Sequence, residues 1–250
     1  MNVTDLRGEE IRQWIAKASS ARVNSEQIRM LFVPNHITSE NIKETANAYK
    51  SIDGHDYNSV VIIESYTGEL DKKLAMPSNR SFTTSFGEVP VNDVLRNEFC
   101  DEEDDFFIDD EGYSTTMSLF HQLAMLQNTL TQFDAVSLQI GDYDPAIVRE
   151  LAYVLDELLL GRDALIIFCC DIPKTNHEEL ERLRALIENN NESGLMHYLN
   201  SSDKQLKGAR AFMTGVLVAK SWNLEIELLN GIEDATQICG FAKLPLPQEA

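Results

Sequence analysis

Basic residues are scarce in this chain. Lys and Arg number 21 against 41 Asp and Glu, a formal net charge of −20. That balance argues against binding to nucleic acid or an anionic membrane, since both need Lys/Arg-rich faces. Cysteine is scarce as well. Cys100, Cys169, Cys170 and Cys239 form no C-x-x-C pair, which excludes the usual redox and zinc-knuckle spacings. Cys169 and Cys170 adjoin within an apolar run, so on a strand they point to opposite faces. They read as small buried residues. No apolar run is long enough for a transmembrane helix. Residues 1–8 lack an apolar signal-peptide core. The expected setting is therefore the reducing cytoplasm. H-E-x-x-H, G-x-G-x-x-G, the P-loop and the G-x-S-x-G elbow are all missing.

What is present is ordinary globular material. The 250 residues are 43% apolar and 25% charged, enough for one large α/β domain or two small ones. There is no internal repeat and no Gly/Ser-rich linker, so a single domain over 1–250 is the simplest reading, with 1–27 as an N-terminal helical extension. Ile11, Trp14 and Ile15 give helical spacing within residues 4–20. Ile28 to Val33 predicts a strand closed by Pro34. Ser39 to Tyr49 predicts a helix capped by Ser39, and the β-branched run Ser59 to Ser65 another strand. Strand, helix, strand at this length implies a βαβ unit with parallel pairing.

Further on, residues 70–90 read as irregular with a short hairpin, and Val91 to Phe99 as a short helix. Thr115 to Thr131 reads as a helix, and Ala135 to Ile140 as a strand. Pro145 to Leu160 predicts an amphipathic helix with Pro in its first turn. Ala164 to Cys170 is a third clear apolar strand. Helices are expected at His177 to Asn189 and Leu206 to Trp222, then closing antiparallel strands at Leu224 to Leu229 and Ile238 to Leu244. The expected fold class is α/β, a mostly parallel central sheet with helices on both faces.

Three strand-to-loop corners draw attention: Val33-Pro34-Asn35-His36, Ile62-Ile63-Glu64-Ser65-Tyr66, and Phe168-Cys169-Cys170-Asp171-Ile172-Pro173-Lys174. The C-terminal ends of strands are where α/β sheets place ligands and chemistry. His36 is a candidate metal ligand or base, or equally a turn-bonding residue. His121 reads as a packing or surface residue of a helix; His55, His177 and His197 read as loop or helix-end residues. The acidic run Asp101 to Asp105, followed by Asp109, Asp110 and Glu111, has donors suited to a hard cation. It lacks the D-x-D-x-D-G alternation that wraps one ion, and reads as a solvated loop.

Taken in order, these corners resemble the Memo family (AmmeMemoRadiSam system protein B-like), relatives of the class III extradiol dioxygenases. That family has a Pro-His-Ala-Gly-Tyr start followed at fixed distance by Ala-x-Ala-Tyr-Lys. This chain has Pro34-Asn35-His36 and then Ala46-Asn47-Ala48-Tyr49-Lys50. Ile62 to Tyr66 is similar to the strand ending Leu-Gly-Pro-Ser-His. Ser81 to Asn92 resembles the Thr-Pro-Leu-Gly segment, Ser118 to Gln127 the Ser-Leu-Glu helix, and Phe168 to Asp171 the strand ending Ser-Ser-Asp.

The resemblance implies a metal-binding ancestry and locates the departures on it. Asn35 and Tyr66 fall where the family has its two strand-end histidines. Asp171 is kept, whereas Lys174 falls where a histidine follows it. Ala209 falls at the family cysteine, and Met117 and Phe120 at the His and Glu of the Ser-Leu-Glu helix. The expectation is a Memo-like pseudoenzyme without a cofactor. It would bind a small polar ligand or a protein partner in a pocket of Asn35, His36, Tyr66, Asp171 and Lys174, with Lys174 paired to Asp171 in place of an ion. The alternative is a dioxygenase-like, metal-dependent oxidoreductase holding iron or copper through His36, Tyr66 and Asp171. A third reading is a structural subunit, which an exposed apolar patch on the helix at 145–160 would favour.

Overall fold

In the computed structural model the described residues are 8–19, 28–66, 68, 70–114, 117–141, 144–173, 177–199, 207–229 and 237–245. In chain order the elements are α1 (Gly8–Lys17), β1 (Ile28–Val33), α2 (Ile42–Lys50), β2 (Ser59–Ser65), β3 (Leu74–Met76), β4 (Ser81–Thr84), β5 (Gly87–Pro90), α3 (Asp93–Glu102), β6 (Phe106–Ile108) and α4 (Ser118–Leu126). They continue with β7 (Asp134–Ile140), α5 (Pro145–Leu159), β8 (Ala164–Cys169), β9 (Ile172–Pro173), α6 (His177–Glu188), α7 (Glu192–Leu199), α8 (Ala209–Ser221), β10 (Glu225–Leu228), β11 (Gln237–Ile238) and β12 (Gly240–Lys243).

The central sheet has eight strands in the order β10-β12-β1-β8-β2-β7-β3-β6. Its middle four, β1, β8, β2 and β7, are mutually parallel. These are the near-continuous apolar runs, as strands covered on both faces must be. The βαβ reading needs one correction. β1 and β2 run parallel but do not pair, because β8 lies between them and bonds to both. The closing strands β12 and β10 are antiparallel, as expected, and β4 and β5 form the expected hairpin.

Alternation along each strand sends side chains to two separate cores. Phe32, Val61, Leu138, Phe168 and Cys170 face α3, α5 and α8. Leu31, Val33, Ile62, Ala135 and Cys169 face α1, α2 and α4. Ile11 and Ile15 of α1 are buried in this second core. The adjacent cysteines therefore point to opposite faces, and all four cysteines are free thiols.

Several boundaries moved for local reasons. The N-cap of α2 is Asn41, not Ser39, and its side chain turns back to accept from the Thr38 N–H at 2.8 Å. α4 stops at Leu126, where Asn128 and Thr129 bond back to the carbonyls of Ala124 and Met125, a competition that ends helices. α7 was not anticipated. It starts after Asn190, whose φ is +51°, with the Asn191 side chain accepting from the Gly194 N–H at 2.9 Å. In the acidic segment, Asp105 pairs with Lys73 at 2.7 Å and Asp110 accepts from the Ser78 N–H at 2.8 Å. No helix among the described residues is long and apolar enough to cross a membrane.

Candidate functional site

The parallel strands β1, β8, β2 and β7 all end at one edge of the sheet. Two helices begin there, α4 on one face and α8 on the other. Between them lies a cavity of about 320 Å³. Asn35 and His36 enter from the end of β1, Glu64, Ser65 and Tyr66 from the end of β2, and Gln139 from β7. Ser118 enters from the start of α4, and Lys207 and Gly208 from the entry to α8. Gly112, Ser114 and Met117 close the remaining side.

The β1 corner is braced at nearly every backbone group. The Pro34 carbonyl accepts from Gln122 Nε2 at 2.9 Å, and Gln122 Oε1 in turn accepts from the Tyr49 hydroxyl at 2.7 Å. The Asn35 N–H donates to Asp171 Oδ1 at 2.9 Å. The His36 carbonyl accepts from Asn41 Nδ2 at 2.9 Å. The Ile37 N–H donates to His121 Nδ1 at 2.8 Å. That last bond requires an unprotonated Nδ1. Burial, and then the neighbouring His36 ring at 5.3 Å, push His121 down to about 4. His121 is thus a neutral acceptor that holds the corner in place.

α8 enters through a position only glycine can fill. Gly208 has φ +80°, and a Cβ there would lie 2.3 Å from the Cys169 carbonyl and 2.8 Å from Cys170 Cα. The helix start is pressed directly onto the end of β8. Its Ala211 N–H is met by the Ser65 hydroxyl at 3.2 Å. Arg210 reaches over to donate to the Tyr66 carbonyl at 2.8 Å. The Tyr66 ring is wedged beside Gly112, where a Cβ would come within 2.9 Å of it.

Glu64 is the most unusual group in the cavity wall. It is 5% exposed. Its Oε1 accepts from Gln139 Nε2 at 3.0 Å, its direct neighbour in the β2–β7 register. Its Oε2 is buried with no hydrogen-bond partner among the described residues. Burial raises its pKa above the ordinary carboxyl value. Gln139 and the start of α4, at Ser118 and Leu119, favour the anion and offset only part of that rise. Those α4 groups lie near the carboxylate without reaching Oε2 in bonding geometry.

Of the residues expected from sequence, Asn35, His36 and Tyr66 line the cavity together. Asp171 stands one layer behind and fastens the Asn35 backbone. Lys174 lies outside the described residues. Sequence reasoning missed Glu64, Gln139, Ser118, Lys207 and Gly208 as site residues. One signal was available: Glu64 is the only charged residue in a strand otherwise built from Ser, Val and Ile. As donors for iron or copper, the set fits poorly. Such sites need about three convergent N, O or S ligands. No three His, Cys, Asp or Glu side chains gather into such a group among the described residues.

Fold and site together define an α/β protein that carries a braced polar cavity at the ends of its parallel strands. The Memo-like protein family model matches residues 4–230, so the chain belongs to that family. Among solved structures, it is similar to an uncharacterised protein of Escherichia coli. The TM-score is 0.58 at 10% sequence identity, over 86% of this chain and 99% of that one. At that identity the likeness is one of fold. No curated protein matches the chain.

Proposed function

We propose that this Memo-like protein is a binding protein for a small polar ligand and carries out no metal-dependent catalysis. The observation behind this reading is the composition of the cavity wall. Asn35 and Tyr66 occupy the positions that the family resemblance gives to histidines. The retained carboxylate, Asp171, holds the β1 corner instead of facing the cavity. The remaining wall combines hydroxyls, carboxamides and one buried carboxylate with His36, Lys207 and Met117, mostly hydrogen-bonding groups for an organic molecule. The four free thiols suit the reducing cytoplasm.

The test is metal content. Tag-free protein is incubated anaerobically with ferrous or copper ions, desalted and analysed by elemental mass spectrometry. The expected result is far less than one metal per chain. Near-stoichiometric metal, reduced in His36→Ala or Asp171→Asn, would overturn the reading in favour of a remodelled oxidoreductase site.

A second reading, docking of a protein partner, has one observation behind it. Tyr153 and Leu160 lie seven positions apart at α5, and each is 53% exposed. Around Tyr153 stand Glu102, Glu103, Asp156 and Glu157, whose charges contribute to the rise in its pKa.

A further inference from the structure

We propose that the ligand of this cavity is a small organic amine, whose ammonium group seats on Glu64. The inference rests on the binding reading above and names the class of ligand. A carboxylate removed from water is costly unless it is paired and hydrogen-bonded. Glu64 has half of that requirement. Gln139 occupies Oε1, while Oε2 is buried and lacks a partner among the described residues, in a side chain that lines the cavity. No Lys, Arg or His is among the groups that stabilise its charge. The missing complement is a positive group with N–H donors.

A ligand ammonium supplies both, since it carries three donors and forms the stronger, charge-assisted kind of bond. A neutral hydroxyl would fill Oε2 and leave the charge unmatched. A bare dication would find one carboxylate in the cavity and no second among the described residues. Ser118 and Asn35 stand in the same wall, already joined Oγ to Oδ1 at 3.5 Å, and offer oxygens to the remaining ammonium hydrogens. Beside them the chemistry differs. Asn35 Nδ2 donates to the Lys207 carbonyl at 3.3 Å, next to Gly208 where α8 begins, and a helix start favours oxygen acceptors and negative charge. A volume of about 320 Å³ is at the lower limit of ligand pockets. The fitting molecule is amine-bearing, a few bonds long, with an oxygen near its amine. Free amino acids and small biogenic amines share that chemistry.

The experiment uses the full chain, metal-free, in calorimetric titrations against matched sets of three. Each set contains an amino acid, its decarboxylated amine and its deaminated acid, for example tyrosine, tyramine and hydroxyphenylpropionate. The expected result is binding by an amine-bearing member, with the deaminated partner weaker by at least about tenfold. Tighter binding of the amino acid than of the amine shows that a carboxylate beside the ammonium is recognised; equal binding shows that the amine alone is. Glu64→Gln, close to isosteric, is expected to weaken binding by at least about tenfold. The deaminated acids ask the same question of the unaltered chain should that variant fold poorly. The proposal is overturned if the deaminated acids bind as well, if binding survives Glu64→Gln, or if no amine binds at millimolar concentration. Stoichiometric metal in the elemental analysis would overturn the binding reading itself. Absence of both metal and amine binding removes only the inference.

Discussion

The two faces of the central sheet are built on different principles. Under α3, α5 and α8 the core is nearly all hydrocarbon and aromatic. Phe32 stacks on Phe168 at 5.5 Å and meets Phe212 edge-on at 5.3 Å. Gly215 lets α8 come close, since a Cβ there would lie 2.5 Å from the Phe32 ring. Under α2 and α4 the interior is polar at the strand ends. Asn35, Asn41, Glu64, Ser118, His121, Gln122 and Gln139 are all buried there. Both faces hold the fold by packing, and the second also fixes the shape of a cavity by directed bonds. Buried polar bonds contribute little net stability each, but leaving one unmade is costly. The polar face therefore permits few alternative arrangements of the β1 corner.

Substitutions can break this comparison. The largest effect is expected on the apolar face. Phe168→Ala should cost about 3–5 kcal/mol in urea unfolding, while ligand affinity of the folded fraction stays within about threefold. A loss of affinity larger than that would show that the faces are not independent.

Acid tests the polar face. His121 is pushed down from 6.5 to about 4 in the folded protein, so the unfolded chain takes up its proton first. Stability from this group is fully present above pH 6.5 and is lost as pH falls toward 4, by up to about 3 kcal/mol. The loss should shrink in His121→Gln, whose carboxamide oxygen can still accept from the Ile37 N–H. An equal acid loss in both proteins would remove His121 as its source.

The smallest effect has the opposite sign. The Glu64 pKa is raised on folding, so its ionisation opposes folding as pH rises from the ordinary carboxyl range through the raised one. Glu64→Gln should therefore stabilise the ligand-free protein at neutral pH, by about 1 kcal/mol. Destabilisation in a thermal melt at pH 7 would mean that the carboxylate is held by structure and not reserved for a ligand.

Much of the sheet was legible because parallel strands covered on both faces leave apolar runs that interrupt the polar background. Ile28–Val33, Ser59–Ser65 and Ala164–Cys169 announce themselves in this way. Strand order was not legible. Nothing local to β8 says that it inserts between β1 and β2. The cavity was half legible. Reading the corners for metal ligands found Asn35, His36 and Tyr66. It passed over Glu64, because the carboxylate matters through its neighbours Gln139 and α4, which only the register brings to it. Gly208 was invisible for the same reason, since its role depends on a carbonyl in β8.

The place of β8 in the sheet also bears on how the protein is made. Synthesis delivers β1 and β2 long before Ala164 emerges, and each must wait with an apolar edge unpaired. Exposed strand edges of this kind invite wrong partners during folding. Until β8 enters, Asn35 and Glu64 have no strand joining them, and until α8 follows, the far wall is missing. A chain that stops short of Gly208 has most of the sheet's sequence and none of the enclosed cavity. The enclosed cavity is thus completed only late in translation.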